Sequence, residues 1–275
     1  MNILTFDLEE WYIYELYPKG GRNYYGPVIE NYLKQILEVL EANKIRATFF
    51  CLGIIARNDP KIIKSIAEKG HQIGCHSDKH VVLRQHNPAS FSKETKIAKD
   101  SLEQLIGEKV TAYRAPAFSI TEKSRWAFEV LSELGFKEDC SIFPANRSFG
   151  GFPSYKNNEP SVIETPSGSI KEFPVSFKEF MGQRLMFSGG GYFRLIPYPL
   201  IKQMMKGSPY NMAYFHIRDL DSKQKKVISS RYFFSYYGIK GAFAKFEKFI
   251  NDFNFISVDQ AVEKVNWEKA RSIVL

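Results

Sequence analysis

His71-Gln72-Ile73-Gly74-Cys75-His76-Ser77-Asp78-Lys79-His80 is a short apolar run followed at once by two histidines four residues apart. Residues 72–76 read as a strand, because Gly70 stops the helix before them and the run is bounded and apolar. If the chain turns helical at Ser77, His76 and His80 stand one above the other on one face. Two imidazoles so placed suit a metal, and a catalytic site of the zinc type needs three protein ligands plus an open position. Two histidines on a wet helix face are the plain alternative, so a third ligand must be sought: an acid, or His216. His71 stands at the wrong end of the strand for that rim and reads as structural, as does His86.

Outward from this stretch the same unit recurs. Residues 3–6 form a buried strand that delivers Asp7 and Glu9 at its C-terminal end. Residues 46–52 form the second strand, 110–114 the fourth, ending on Arg114, and 136–143 the fifth, carrying Asp139. Helices alternate with them. Pro27 opens one that runs to about Ala42; Asp59 with Pro60 starts the next; Ser90 or Ser92 caps a third reaching Ile106-Gly107; and Ser119-Ile120-Thr121-Glu122 fits a capping box ahead of Trp126. This rhythm predicts a parallel α/β fold. An open doubly wound sheet gathers ligands at one switch point, whereas here four separate strand ends contribute Asp7, His76, Arg114 and Asp139. A closed or nearly closed barrel is therefore expected, as a single domain over residues 1–275.

From 144 to 197 the rhythm breaks. Residues 161–165 and 169–175 read as a hairpin around Pro166-Ser167-Gly168. Ser188-Gly189-Gly190-Gly191-Tyr192-Phe193-Arg194 reads as a flexible glycine run that delivers aromatic and basic groups. It has neither phosphate-loop nor dinucleotide spacing, so it is no nucleotide site. A helix over 199–205, a strand over 211–217 ending near His216, a helix over 241–250, a last strand over 255–258 and a helix capped by Asp259 complete the chain.

With 275 residues, 44% of them hydrophobic, the chain can bury one large core or two modest ones, and one domain is the simpler reading. Its net charge of +8 admits anionic partners or anionic lipid headgroups without choosing between them. The positive residues are scattered, and the densest group, Lys223, Lys225 and Lys226, is too thin for a nucleic-acid tract. Contact with a membrane surface stays open. Cys51, Cys75 and Cys140 lie in or beside apolar segments and read as buried small hydrophobes in a reduced compartment. No signal peptide precedes residues 3–6 and no transmembrane stretch follows, which predicts a cytoplasmic location.

Asp7, Glu9, His76, His80, Arg114, Asp139 and His216 are thus expected on one rim. An acid with His76 and His80 would hold a divalent metal, which makes a nucleophile of water near neutral pH and polarises a carbonyl. A second acid can take the attacking proton and an imidazolium can give one to a leaving group. Such a set suits hydrolysis of an amide or ester. Each residue also has a plain reading: Asp7 and Glu9 as capping or surface acids, Arg114-Ala115-Pro116 as a surface turn, His216 as a satisfied core histidine. An arginine leaving a buried strand needs a carboxylate partner, however, and Asp7 is the economical one. Tyr24, Tyr25 and Tyr192 lie in glycine-punctuated loops, where rings can stack on a flat ligand face.

Five pieces in order, Thr5-Phe6-Asp7, His76-Ser77-Asp78-Lys79-His80, Arg114-Ala115-Pro116, Asp139-Cys140-Ser141 and Phe215-His216, make the chain resemble the polysaccharide deacetylase family, also called the NodB-homology or carbohydrate esterase 4 group. Phe6-Asp7-Leu8-Glu9-Glu10-Trp11 and Gly189-Gly190-Gly191-Tyr192-Phe193-Arg194 resemble the branch that accompanies bacterial exopolysaccharide and surface-glycan gene sets. The resemblance implies a distorted (β/α)7-type barrel with a short hairpin insertion. It also implies one divalent metal (zinc, with cobalt or nickel as alternatives) and removal of acetyl from an N-acetylated sugar of a glycan or lipid-linked precursor. By the same resemblance Asp7 is the base, His76 and His80 are metal ligands, Arg114 orients the base and His216 is the general acid. The N–H of Ala117 would help hold the oxyanion. Tyr192, Arg194 and Asp139 are expected to bind substrate.

Two departures stand out. Leu8 replaces the second of the family's adjacent aspartates, so Glu9 is the expected third ligand, with Glu10 as fallback. Ala117 replaces a frequent aromatic and opens one wall of the sugar pocket. The acid that supports His216 stays open among Asp139, Asp219 and Asp221. The alternatives are hydrolysis of another amide, formamido or cyclic, by the same site, and a catalytically inactive barrel that binds a glycan.

Overall fold

The computed structural model describes residues 1–9, 28–147, 150–223, 233 and 236–274. Glu10, the aromatic segment 11–25, Pro27, Lys225 and Lys226 lie outside these described residues. Strands β1 (Asn2–Leu8), β2 (Thr48–Cys51), β3 (Gln72–Cys75), β4 (Ala112–Tyr113), β5 (Glu138–Asp139), β6 (Ser161–Thr165), β7 (Gly168–Glu172), β10 (Asn211–His216) and β11 (Arg271–Val274) form one sheet, and β8 (Phe177–Phe180) with β9 (Gln183–Met186) a second. The order is β10-β1-β2-β3-β4-β5-β7-β6-β11. The first seven of these run parallel, which is the α/β architecture expected. Among the described residues β10 and β11 do not pair with each other, so the barrel is distorted and incompletely closed. No described helix is long and apolar enough to cross a membrane.

The strands are apolar on both faces because both faces are covered. On β1, Leu4, Phe6 and Leu8 enter the core shared with the helices, where Phe6 stacks on Phe49 at 4.8 Å and meets the edge of Phe246 at 5.9 Å. Ile3 enters a second core with Phe50, Ala112, Cys140, Phe173 and Met212. Since side chains alternate along a strand, Thr5 and Asp7 share the Ile3 side and Arg114 shares the Ala112 side. The polar rim therefore stands directly above an apolar floor. Gly74 is required there: a Cβ at that position would lie 2.6 Å from the Phe50 ring, and Phe50 carries the Arg114 guanidinium 4.3 Å above it. The three cysteines are buried free thiols, as their apolar surroundings suggested.

Several local expectations give way. The hairpin of β6 and β7 is no insertion: β7 is itself the seventh parallel strand, β6 pairs antiparallel to it, and β11 runs parallel to β6. The glycine run is a short helix, Gly190–Leu195, because Gly189 packs where a Cβ would come 2.3 Å from Tyr214 O. Asn87, with Pro88 after it, caps the Pro88–Ile106 helix, and Ser90 closes the capping box. Thr121 with Ser124 forms the box ahead of Trp126. Ser257 caps the last helix in place of Asp259. The expected final strand reduces to one bridge, Ile3 to Ile256, while β11 pairs with β6.

On the helix-facing side of β5 and β7, Asp139 and Glu172, both fully buried, are register partners with hydrogen-bonded side chains. Burial, with Asp139 beside it, pushes the Glu172 carboxyl well above the usual carboxylate range. A raised folded value means stability that is complete below the unfolded value and is lost as pH rises through the folded one. Each unit of the rise is worth about 1.4 kcal/mol. Glu172→Gln keeps a donor for Asp139 and removes the titration. Thermal melts should show the intact protein losing stability from mildly acidic to alkaline pH and the variant losing much less; parallel curves would contradict the shared proton.

Candidate metal centre

The parallel register brings Asp7 opposite His216, and Glu9, His76 and Arg114 follow immediately after β1, β3 and β4. Glu9, His76 and His80 offer ligand atoms that all lie within 4.8 Å of one another. Glu9 Oε2 stands 2.8 Å from His80 Nε2 and 3.8 Å from His76 Nε2. Glu9 is the third member because of strand alternation: Leu8 is buried in the helix-side core, so an acid at position 8 would point away, whereas position 9 shares the side of Asp7.

His76 Nδ1 lies 2.7 Å from Arg114 O, so it donates its proton there and presents the Nε2 lone pair to the cluster. Burial pushes the His76 pKa down to about 4, which keeps the ring neutral. Burial works against the Glu9 carboxylate, but the Arg218 guanidinium, with His80 and His216, holds it well below the usual range. A neutral imidazole, a second imidazole and an ionised carboxylate are a donor set that fits a divalent cation of the zinc type.

The two histidines do not meet on a helix. Ser77 and His80 both take left-handed backbone conformations, φ 71° and 61°, and the turn closes with His80 N–H donating to Ser77 Oγ at 3.0 Å. Glu94 Oε1 accepts the N–H groups of Asp78 and Lys79 at 2.7 and 3.0 Å. The ring centroids end 5.2 Å apart. Each left-handed non-glycine residue costs about 1–3 kcal/mol, which the surrounding bonds offset.

Arg114 is fully buried; its Nη1 donates to Asp7 Oδ1 and Thr5 Oγ1, both at 2.8 Å, and its Nε to Cys140 O at 3.1 Å. Burial would raise the Asp7 pKa, yet Arg114, His76 and His216 hold it below its ordinary value. His216 Nε2 lies 3.9 Å from Asp7 Oδ2 and 3.5 Å from Glu9 Oε1. On its other side, Nδ1 meets Asp219 Oδ2 at 2.8 Å, and that oxygen also accepts the His216 N–H at 3.0 Å. Asp219 is therefore the supporting acid among the three candidates. Arg194 and His216 keep it ionised against the opposing effect of burial.

Two substrate-binding assignments are corrected. Asp139 is fully buried, with Oδ1 and Oδ2 accepting from Ser141 Oγ and N–H, because in register it stands beside Tyr113 and shares that residue's helix-side face, away from the side of Arg114. Arg194 is buried in an ion pair with Asp219 and acts through it on His216. Tyr192 is 38% exposed on the helix beside β10. Ala117 has a left-handed backbone, φ 53°, in the turn after Arg114. The sequence reading missed Arg218, which pairs with Glu9 Oε1 and leaves Oε2 turned to the histidines. Its one signal was its place two residues after His216.

Residues 4–138 match the polysaccharide deacetylase model, and residues 140–263 match a domain of unknown function, DUF3473. A peptidoglycan-N-acetylglucosamine deacetylase of Bacillus cereus is 34% identical over 105 residues, 38% of this chain and 38% of that protein. A peptidoglycan-N-acetylmuramic acid deacetylase of Bacillus subtilis is 25% identical over 46% of this chain and 44% of its own length. The chain spans only 28% to 38% of the length of the first three curated relatives it matches. Among solved structures, a candidate polysaccharide deacetylase from Mycobacterium smegmatis superposes with a TM-score of 0.66 at 19% identity, over 100% of this chain and 92% of that one. A CE4 family pseudoenzyme from Bacillus anthracis gives a TM-score of 0.54 at 13% identity, over 99% of this chain and 69% of that one. At these identities the likeness is one of fold. Residues 4–138, which carry Asp7, Glu9, His76, His80 and Arg114, are a polysaccharide deacetylase domain.

Proposed function

We propose that this protein is a metal-dependent carbohydrate N-deacetylase that removes acetyl from an N-acetylated sugar of a glycan. One arrangement carries the reading: a base held ionised by a buried arginine and a histidine held by a buried aspartate approach to 3.9 Å beside a three-ligand cluster. Glu9, His76 and His80 would hold the cation, for which two imidazoles and a carboxylate favour zinc; when bound, it supplies Lewis-acid polarisation of the acetamide carbonyl and acidifies a water. Asp7 takes the proton of the attacking water, and Arg114 keeps it ionised and directed inward. His216 delivers a proton from Nε2 to the departing amine nitrogen, with Asp219 holding Nδ1 and the ring plane. Relatives named as peptidoglycan and chitooligosaccharide deacetylases support N-acetylhexosamine polymers as the substrate class. The Gly189–Gly191 segment and its resemblance favour a surface polysaccharide or its lipid-linked precursor.

Acetate release from chitotetraose and from peptidoglycan fragments tests this, alongside N-formyl and cyclic-amide compounds. Activity should be specific to the N-acetyl sugars, vanish with a chelator and return with one equivalent of zinc. Elemental analysis should find about one ion per chain, and His76→Ala should lose it. Glycan binding without acetate release from the metal-loaded protein would favour the inactive binding barrel, for which the substitution of Leu8 in the acid motif is the specific reason.

A further inference from the structure

Between the loops that leave β3 and β4 lies a cleft of about 490 Å³, within the roughly 300–1,000 Å³ of ligand sites. Its walls include Arg84, Lys123, Arg147, Trp126, His86 and Ser119, and among the described residues that line it there is no carboxylate. The cleft is lined by the segments that follow His80 and Arg114 in the chain. Leu83 N–H donates to Ser119 Oγ at 3.1 Å and ties the segment after His80 to the turn after Arg114. The Phe118 ring then lies between two guanidinium groups, 5.4 Å from that of Arg114 and 5.2 Å from that of Arg147. Arg147 thus stands one aromatic ring away from the residue that directs Asp7.

The wall is held in place. Arg147 also lies 4.5 Å from the Phe143 ring, and Gly151 N–H donates to Phe118 O at 3.0 Å. A Cβ on Gly150 would come 2.2 Å from Phe118 O, and one on Gly151 would come 2.1 Å from Ala145 O, so only glycine allows this approach. His86 Nε2 is buried in the wall with no hydrogen-bond partner among the described residues, a polar atom that a ligand hydroxyl would satisfy. Trp126 adds an apolar surface. Cationic groups around an aromatic and a spare polar atom recognise an anionic, hydroxylated ligand.

We propose that this cleft is a subsite for an anionic sugar, bearing a carboxylate or a phosphate ester, that neighbours the N-acetylated unit at the metal centre. The placement of that unit rests on the deacetylase reading; the anion preference does not. The substrate class then narrows from N-acetylated glycans in general to acidic ones, in keeping with the net charge of +8.

Calorimetric titration of the full chain tests it. The probes are a hyaluronan tetrasaccharide, which alternates N-acetylglucosamine with glucuronate, against chitotetraose, and N-acetylglucosamine 1-phosphate against N-acetylglucosamine. At least one charged probe should bind about tenfold tighter than its neutral partner at low salt, with the advantage shrinking at high salt; which one does identifies the acidic group. K123Q/R147Q should erase the advantage. Because Arg147 also packs on aromatic rings, R84Q/K123Q, which alters exposed positions alone, should reduce it independently. Equal affinities in the intact protein, or an advantage that survives in both variants, would overturn the subsite. Charge preference without acetate release from any probe would keep the anion site and retire the deacetylase reading, whereas acetate release with equal affinities would do the opposite.

Discussion

Asp7→Asn should lower kcat for acetate release by roughly 10²–10⁴-fold, the range expected when a positioned base is removed, while about one metal ion per chain is retained. Asparagine keeps the shape of Asp7 and one oxygen to accept from Arg114 Nη1, as Asp7 Oδ1 does at 2.8 Å, but it cannot accept the proton. The retained metal is the discriminating part. Asp7 lies outside the Glu9, His76 and His80 cluster, so a role as ligand would strip the ion and a role as base would not. His216→Ala should produce a loss of similar size, and the two together should lose less than the product, because base and acid act on one reaction. A loss below about fivefold in both single variants would remove proton transfer from these residues.

Much of the site was legible in the sequence because it lies in one register. Strand alternation alone places Asp7 and Glu9 on one side of β1 and Leu8 on the other, and the polar residues fall just past apolar runs at strand C-terminal ends. What was not legible depends on backbone conformations and long-range pairs. The turn that joins His76 to His80 uses left-handed conformations at Ser77 and His80, and a four-residue separation of two histidines does not distinguish such a turn from a helical one. Arg194 looked like a ligand-binding cation in a glycine run. It is instead buried against Asp219, a contact 25 residues away in sequence that no local pattern reveals. Asp139 lies level with Leu8 through the ladder Tyr113, Cys75 and Cys51, and which face of the two-residue strand Glu138–Asp139 turns to the rim is set by that long-range register, which no local pattern reveals.

Arg114→Met should be the most destabilising single change at the site, costing about 3–5 kcal/mol, the usual cost of leaving one partner of a buried ion pair alone. Methionine fills the space above Phe50 but gives Asp7 no counter-charge. In the intact protein burial raises the Asp7 pKa, and Arg114 together with His76 and His216 more than reverses this. Asp7 therefore contributes stability that is present above its unfolded value and lost as pH falls through the folded one. Without Arg114, burial prevails and the folded pKa moves upward, so the contribution changes sign: stability is complete below the unfolded value and lost as pH rises through the folded one. Denaturation of the chelated proteins at about pH 4 and about pH 7, on either side of the shifted carboxylate range, should show the gap between the two widening with pH. Adding Asp7→Asn to Arg114→Met removes the stranded charge and should recover part of the loss at neutral pH, the coupling expected of two groups in contact. If the gap is equal at both pH values and the double variant is no more stable than the single one, Arg114 supports the fold through packing on Phe50 and Phe118, and its hold on the Asp7 charge contributes nothing measurable.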